Sequence, residues 1–305
     1  MRRYTEEQIN SSEVCNMYKK GFTSRQIAKH FNCDKGCILK RLKENNITAR
    51  GNELANRKHF FNYRYLEKID SEEKAYILGF IMADGCVDRL MTRLIINLAH
   101  IDIDVLKFIS KCFSYDSSLV FKKSVLNRMP QYSLSLNSKE LCIDLKNHGV
   151  LPMKSYNATY PKTIPKHLNK DFISGLFDGD GSVSHNPSKK TTNCSIAGTP
   201  EIIIECQKIL LEQYNFSTSI EYKKTKNSTT AILRFGGRRK SLVFYETIYK
   251  SQFFRLTRKN DKFIQSMSAD VNPYGIKKCK ICDLKHESKG YCRKHLYQYQ
   301  KSIRK

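Results

Sequence analysis

AYILGFIMADGCV at residues 75–87 and DFISGLFDGDGSV at residues 171–183 are the two stretches that decide the fold. Aligning their glycines pairs Gly79 with Gly175, Asp84 with Asp180 and Gly85 with Gly181, each 96 positions apart, so one unit is repeated. Each stretch reads as an apolar helix ending in Asp-Gly. Gly79 and Ala83, like Gly175 and Gly179, stand four residues apart on one helix face, which lets two such helices meet backbone to backbone. A carboxylate in a last turn faces the negative end of the helix dipole, and a following glycine is the usual left-handed stop residue. Asp84 and Asp180 are therefore expected at two adjacent helix ends, pointing outward. Neighbouring carboxylates repel unless a divalent cation lies between them, and an all-oxygen donor set selects magnesium over zinc. That constellation suits metal-assisted phosphodiester hydrolysis.

The repeat continues past the motifs. After the first come a strand at 93–99, a helix over 104–112, strands at 118–123 and 131–137, and a helix over 138–148. After the second come a strand at 193–198, a helix over 201–214, strands at 218–224 and 230–237, and a helix over 240–249. The fold class is α+β, with two pseudo-symmetric αββαββα half-domains at 71–160 and 161–270. A basic, aromatic connector at 51–70 precedes them; it lacks a periodicity that would define its conformation.

GFIMADGCV and GLFDGDGSV resemble the two motifs of a monomeric LAGLIDADG homing endonuclease, and the resemblance covers roughly residues 70–265. It implies that the motif helices form the interface between two halves, each spreading an antiparallel sheet over the major groove in a saddle. It further implies that Asp84 and Asp180, with the adjoining Gly85 and Gly181, hold magnesium, and that both strands are cut across the minor groove to leave short 3′ overhangs. The family places a basic residue near each active site. Lys154, 70 positions beyond Asp84, and Lys259, 79 beyond Asp180, fill that place, with Arg258 as the rival of Lys259. Asp178 has Met82 as its counterpart, so it is expected to support the interface or a nearby basic residue. The mechanism requires no histidine.

Charge agrees with a polyanionic partner. Lys and Arg number 54 against 29 Asp and Glu, a formal net charge of +25. Such a field attracts phosphate backbones, making double-stranded DNA the leading partner and an acidic membrane surface the weaker one. No apolar run is long enough to span a bilayer, and no apolar stretch follows the N-terminal arginines as in a signal peptide. A monomer working inside the cell, in cytoplasm or on the nucleoid, is expected. Groove contacts are expected from strand residues: Arg93, Asn97, Lys122, Lys123, Gln131 and Ser133, then Ser195, Glu221, Lys223, Lys224, Arg234 and Arg238.

Two small modules flank the repeat. Residues 1–50 divide into three short helical segments in which Thr23 caps the second, residues 32–34 form a turn, and Ile38 and Leu42 anchor the third. The pattern resembles the helix-turn-helix of recombinases and phage regulators, with Lys35, Gly36, Lys40 and Arg41 facing DNA. In the tail, 277–305, Cys279, Cys282, Cys292 and His295 are spaced Cys-x2-Cys and Cys-x2-His, a tetrahedral set for structural zinc. It resembles small zinc modules of phage and mobile-element endonucleases. Lys285, Lys289, Arg293, Lys294 and Lys301 give it a basic surface, and His286 is a spare ligand. Competing readings are a non-cleaving DNA-binding regulator on the same scaffold and an RNA maturase that aids intron splicing.

Overall fold

The computed structural model describes residues 9–19, 22–49, 59–124, 129–186, 191–224, 229–250, 253–268, 279–282 and 291–302. Two long helices lie at the centre, α4 (Glu72–Asp84) and α8 (Asn169–Asp180). Ser71 starts α4 by accepting from the Lys74 N–H at 3.3 Å, and Glu72 and Glu73 in the first turn suit the positive end of its dipole. From Ala75 to Ala83 every residue of α4 is buried, so this helix is apolar on all sides because it is covered on all sides.

Each central helix runs straight into a four-stranded antiparallel sheet. The first contains β1 (Gly85–Val87), β2 (Arg93–Ala99), β3 (Val120–Lys122) and β4 (Gln131–Asn137), in the order β1-β2-β4-β3. The second contains β5 (Gly181–Asn186), β6 (Thr191–Gly198), β7 (Ser219–Lys224) and β8 (Thr229–Gly236), in the matching order β5-β6-β8-β7. Gly85 pairs with Ile96, and Gly181 with Ile196, so the two motifs enter their sheets at the same point. Leu94, Ile96 and Leu98 alternate inward on β2, as Cys194 and Ile196 do on β6, leaving one polar face of each sheet open.

Helices back the other faces. In the first half these are α5 (Ile103–Cys112) and α6 (Lys139–Asn147), followed by the one-turn α7 (Lys154–Asn157). In the second they are α9 (Pro200–Tyr214) and α10 (Arg238–Phe244), which loosens into a π-turn at Tyr245–Tyr249. Thr199 caps α9, with Pro200 in the first turn, where a missing N–H costs nothing. One contiguous core, from Phe61 to Phe263, includes both halves. The described part of the connector packs on the first half: Phe61 lies edge-on to Phe113 and Tyr115, and Arg64 pairs with the buried Asp144 at 3.0 Å.

The N-terminal head has its own core of Val14, Ile27, Phe31, Ile38 and Leu42, gathered from α1 (Ser11–Lys19), α2 (Ser24–His30) and α3 (Lys35–Glu44). Thr23 and Gln26 form a capping box on α2, and Asn32 takes a left-handed φ of 47° to turn the chain into α3. Among the described residues no helix is long and apolar enough to cross a membrane.

Candidate active site at the ends of the paired helices

The glycines set how closely α4 and α8 approach. A Cβ at Gly79 would overlap the Phe172 carbonyl oxygen, one at Gly175 the Tyr76 oxygen, and one at Gly179 the Ala83 side chain. The bare helix surfaces therefore touch, and their C-terminal ends lie side by side. Gly179 also makes room for Asp84, whose Oδ2 would lie 3.2 Å from a Cβ at that position.

The glycines after the aspartates work differently from a left-handed stop. Gly85 (φ −71°, ψ 146°) and Gly181 (φ −86°, ψ 159°) are extended, a conformation open to any residue. What excludes a side chain is space: a Cβ at Gly85 would meet the Ile81 carbonyl oxygen at 2.6 Å, and one at Gly181 would press on Phe177. The helix turns into its strand without an intervening loop, which fixes each aspartate at the junction.

Asp84 and Asp180 keep an exposed edge. The protein around the rest of each carboxylate nevertheless raises both pKa values. Burial is the main cause for Asp84, Asp180 pushes it further, and Lys154 and Lys259 pull against them, leaving it at about 6. Burial likewise raises Asp180 against the same two lysines.

The lysines stand at the carbonyl ends of the motif helices. Lys154 Nζ donates to Ala83 O, next to Asp84. Lys259, on α11 (Thr257–Ser268), is only 1% exposed; its Nζ donates to Phe177 O at 2.6 Å, Asp178 O at 2.8 Å and Gly179 O at 3.4 Å. These acceptors replace lost water and complement the negative helix end. Burial still lowers Lys259 to about 8, although Asp178 opposes the shift. Lys154, Ala83, Asp180 and Thr199 line an open cleft of about 210 Å³ beside the helix ends.

Asp178 supports this arrangement from inside the protein. It accepts from Tyr76 Oη at 2.7 Å, Tyr249 Oη at 2.6 Å and the Leu256 N–H at 3.0 Å, joining both central helices to the segment that carries Lys259. Arg258 is turned away from the carboxylate pair to Asp102, at 2.8 and 3.1 Å. No spacing or motif marks Tyr76, Tyr249, Asp102 or Thr199; the mismatch of Asp178 with Met82 is the one visible hint.

The strand candidates are dispersed. Arg93, Asn97, Lys122 and Gln131 share the open face of the first sheet, with Lys122 Nζ on Asn97 Oδ1 at 2.9 Å. Ser133 is on that face but only 6% exposed, walled in by its register partners Asn97 and Val120. In the second sheet Ser195, Glu221, Lys223 and Arg234 share the open face, and Arg234 is paired with Glu221. Lys224 alternates to the opposite side of β7, and Lys123 lies just past the end of β3. Arg238 is not on a strand: it opens α10, and its Nη2 donates to Met267 O at 3.4 Å. In the head, Lys40 is exposed on α3, Lys35 begins that helix, and Arg41 pairs with Glu44 at 3.1 Å.

The tail brings its four candidates together. Cys279, Cys282, Cys292 and His295 place ligand atoms within 4.8 Å of one another. His295 Nδ1 is 3.2 Å from Cys279 Sγ and 3.4 Å from both other sulfurs, and Cys282 and Cys292 are 3.7 Å apart. A zinc tetrahedron with Zn–S near 2.3 Å has S···S edges of about 3.8 Å, so the donor set fits. Burial raises the Cys279 thiol, but backbone N–H groups of Cys292, Ile281 and Cys282, together with His295, outweigh it and bring it to about 5. Arg293, Lys294 and Lys301 lie on α12 (Arg293–Ser302), whereas Lys285, His286 and Lys289 lie outside the described residues.

Residues 168–249 match the LAGLIDADG-like domain family. Over 171 residues the chain is 26% identical to the DNA polymerase of Acanthamoeba polyphaga mimivirus, covering 52% of this chain and 9% of that one. It spans between 9% and 26% of the length of the first three curated relatives it matches. Among solved structures it is similar to full-length DUF199/WhiA from Thermatoga maritima, with 16% identity, a TM-score of 0.46, and coverage of 80% of this chain and 73% of that one. It is also similar to the homing endonuclease I-WcaI bound to its DNA recognition sequence, with 14% identity, a TM-score of 0.47, and coverage of 72% and 97%. The matched residues, 168–249, include the second motif helix, its sheet and the helices behind it.

Proposed function

We propose that this chain is a site-specific DNA endonuclease that cuts both strands of a long duplex target with magnesium. One observation carries the reading: Asp84 and Asp180 are fixed at adjacent helix ends, each helix end having its own lysine. The donor set fits a hard cation, because the two charged groups that meet there are carboxylates and the Asp84 carboxyl is held up partly by its neighbour's charge. Asp84, Asp180 and the backbone at Gly85 and Gly181 would hold it. When bound, magnesium supplies a water activated for attack and stabilises the leaving oxygen.

The chain's own residues do the rest. The open sheet faces, with Arg93, Lys122, Lys223 and Arg234, meet the duplex and its phosphates, and Lys40 of the head contacts further phosphates. Lys154 and Lys259 provide positive potential at the scissile phosphates without competing for the cation, since their ammonium groups are committed to carbonyls. Both catalytic halves lie in one chain, so no second copy is required. In EDTA, duplex DNA is expected to bind with an affinity that falls steeply with salt, and cut ends should appear only after magnesium is added. Binding that never yields ends would leave a regulator, and protection of structured RNA alone would favour a splicing role.

Linkage makes the carboxylate pair testable without DNA. The folded pKa of Asp84 lies above the ordinary value, so the folded state favours the protonated carboxyl and its ionisation costs stability as pH rises toward and past 6. In EDTA, Asp84→Asn should melt on the order of 1–2 °C higher at pH 7.5, a small gain because the group is partly screened by water. The gain should shrink as pH falls from 6 and vanish only below about pH 3, where the parent carboxyl is protonated in both states. A gain that grows on acidification would contradict the pair.

The tail, on this reading, is a zinc clip that adds affinity. One zinc per chain is expected, and Cys279→Ser with Cys282→Ser should lose it. Equal zinc content by metal analysis would overturn the ligand set.

A further inference from the structure

The two lysine segments are anchored in the same manner from opposite halves. Around Lys259, Thr257 Oγ1 donates to Asp104 Oδ2 at 2.8 Å and Arg258 Nε donates to Asp102 at 2.8 Å. Both acceptors stand at the start of α5, in the first half. Around Lys154 the direction reverses. Thr199, at the start of α9 in the second half, donates from Oγ1 to Ala158 O at 2.6 Å, and Ala158 closes the one-turn helix that begins at Lys154. Asp102 and Thr199 hold the same station, since each is the N-cap of the helix following the second strand of its sheet. Each lysine therefore reaches a carbonyl of its own half's motif helix, while the segment that carries it is held by the other half.

We propose that this reciprocal clasp positions both lysines, with Asp102, Asp104 and Thr199 as positioning residues acting across the interface between halves. The segment carrying Lys259 makes two side-chain bonds to α5, and Phe254 adds a ring stacked 4.5 Å from Phe108 on the same helix. Without those anchors the segment keeps its bond from the Leu256 N–H to Asp178, but openings that release the ammonium from its three carbonyls to water become more frequent. Losing the Thr199 bond frees the shorter α7 segment alone. The two sites are thus separable by mutation, although their helices are packed as one unit. The consequence for cleavage rests on the proposed nuclease function; the clasp itself does not.

Lysine labelling with an acylating reagent, read by mass spectrometry on the full chain without DNA or metal, tests the clasp directly. Asp102→Ala with Thr257→Val should raise labelling of Lys259 about tenfold, by local opening, and leave Lys154 unchanged. Thr199→Val should raise labelling of Lys154, by less because Lys154 is already half-exposed, and leave Lys259 unchanged; Thr199→Ser, which keeps the donor, should restore protection. Should the double variant fail to fold, Thr257→Val alone carries the first arm. Equal rises at both lysines in either variant, or no rise at the named lysine in a folded variant, would overturn the proposal. On a cleavable duplex, each variant should slow one strand about 10–100-fold and accumulate nicked product, with the two variants affecting opposite strands. If the parent chain cuts nothing, the nuclease reading fails while the labelling still decides the clasp; equal slowing of both strands would count against it.

Discussion

Asp84→Asn and Asp180→Asn, made separately, are each expected to lower double-strand cleavage by about 10³-fold or more while leaving duplex affinity in EDTA within about threefold. Asparagine keeps the size of the carboxylate and one of its oxygens, so the helix junction at Gly85 or Gly181 is undisturbed. What disappears is one of the two negative charges that, on the proposed function, hold the cation. Neither aspartate donates to or accepts from a group on the open sheet faces in the described hydrogen bonds, so the binding surface should be preserved. Strong cleavage in either variant would move the active site elsewhere. A parallel loss of binding would mean that the carboxylates act through the fold.

Gly175→Ala should be among the most destabilising single changes in the protein. Helix propensity alone favours alanine over glycine by about 1 kcal/mol, so an unconstrained site would gain stability. Here the added Cβ would fall on the Tyr76 carbonyl oxygen and 2.9 Å from the Phe80 backbone nitrogen, and neither is a flexible side chain that can swing aside. The helices must part, opening a core that both halves share, and the contact cost should win with a net loss of about 3 kcal/mol or more. Gly36, in the first turn of α3, has nothing within 4 Å of its Cβ position, so Gly36→Ala should be neutral or stabilising. Denaturant melts of both variants distinguish space from propensity. A Gly175→Ala protein as stable as its parent would show that the helices are not in backbone contact.

Much of the scaffold was legible because it is written twice. One 96-residue offset aligned the motifs, and the same order of strands and helices followed both; strands 93–99 and 131–137 occupy the expected residues. The small residues at Gly79 and Gly175 forecast the close helix pair because such packing leaves no other choice of side chain. Other features escaped because their causes are not local. Asp178 meets partners 102, 71 and 78 positions away, which no spacing rule brings together. By position Gly85 and Gly181 look like left-handed helix stops, whereas the need is steric, imposed by the preceding turn as the chain enters a strand. Arg238 begins a helix rather than standing on a strand, and Ser133, though on the open face of its strand, is walled in by cross-strand neighbours. Arg258 was a fair rival to Lys259 by sequence; its bond to Asp102 separates their tasks.

Sequencing the DNA ends that the protein makes decides whether the paired carboxylates cut DNA. The purified chain and its Asp84→Asn, Asp180→Asn double variant are incubated with magnesium and a library of random duplexes, and all new ends are sequenced. The parent is expected to yield paired ends at one long recurring site with short 3′ overhangs, and the double variant none. No ends above background from a folded, DNA-binding parent, or the same ends from both proteins, would contradict it.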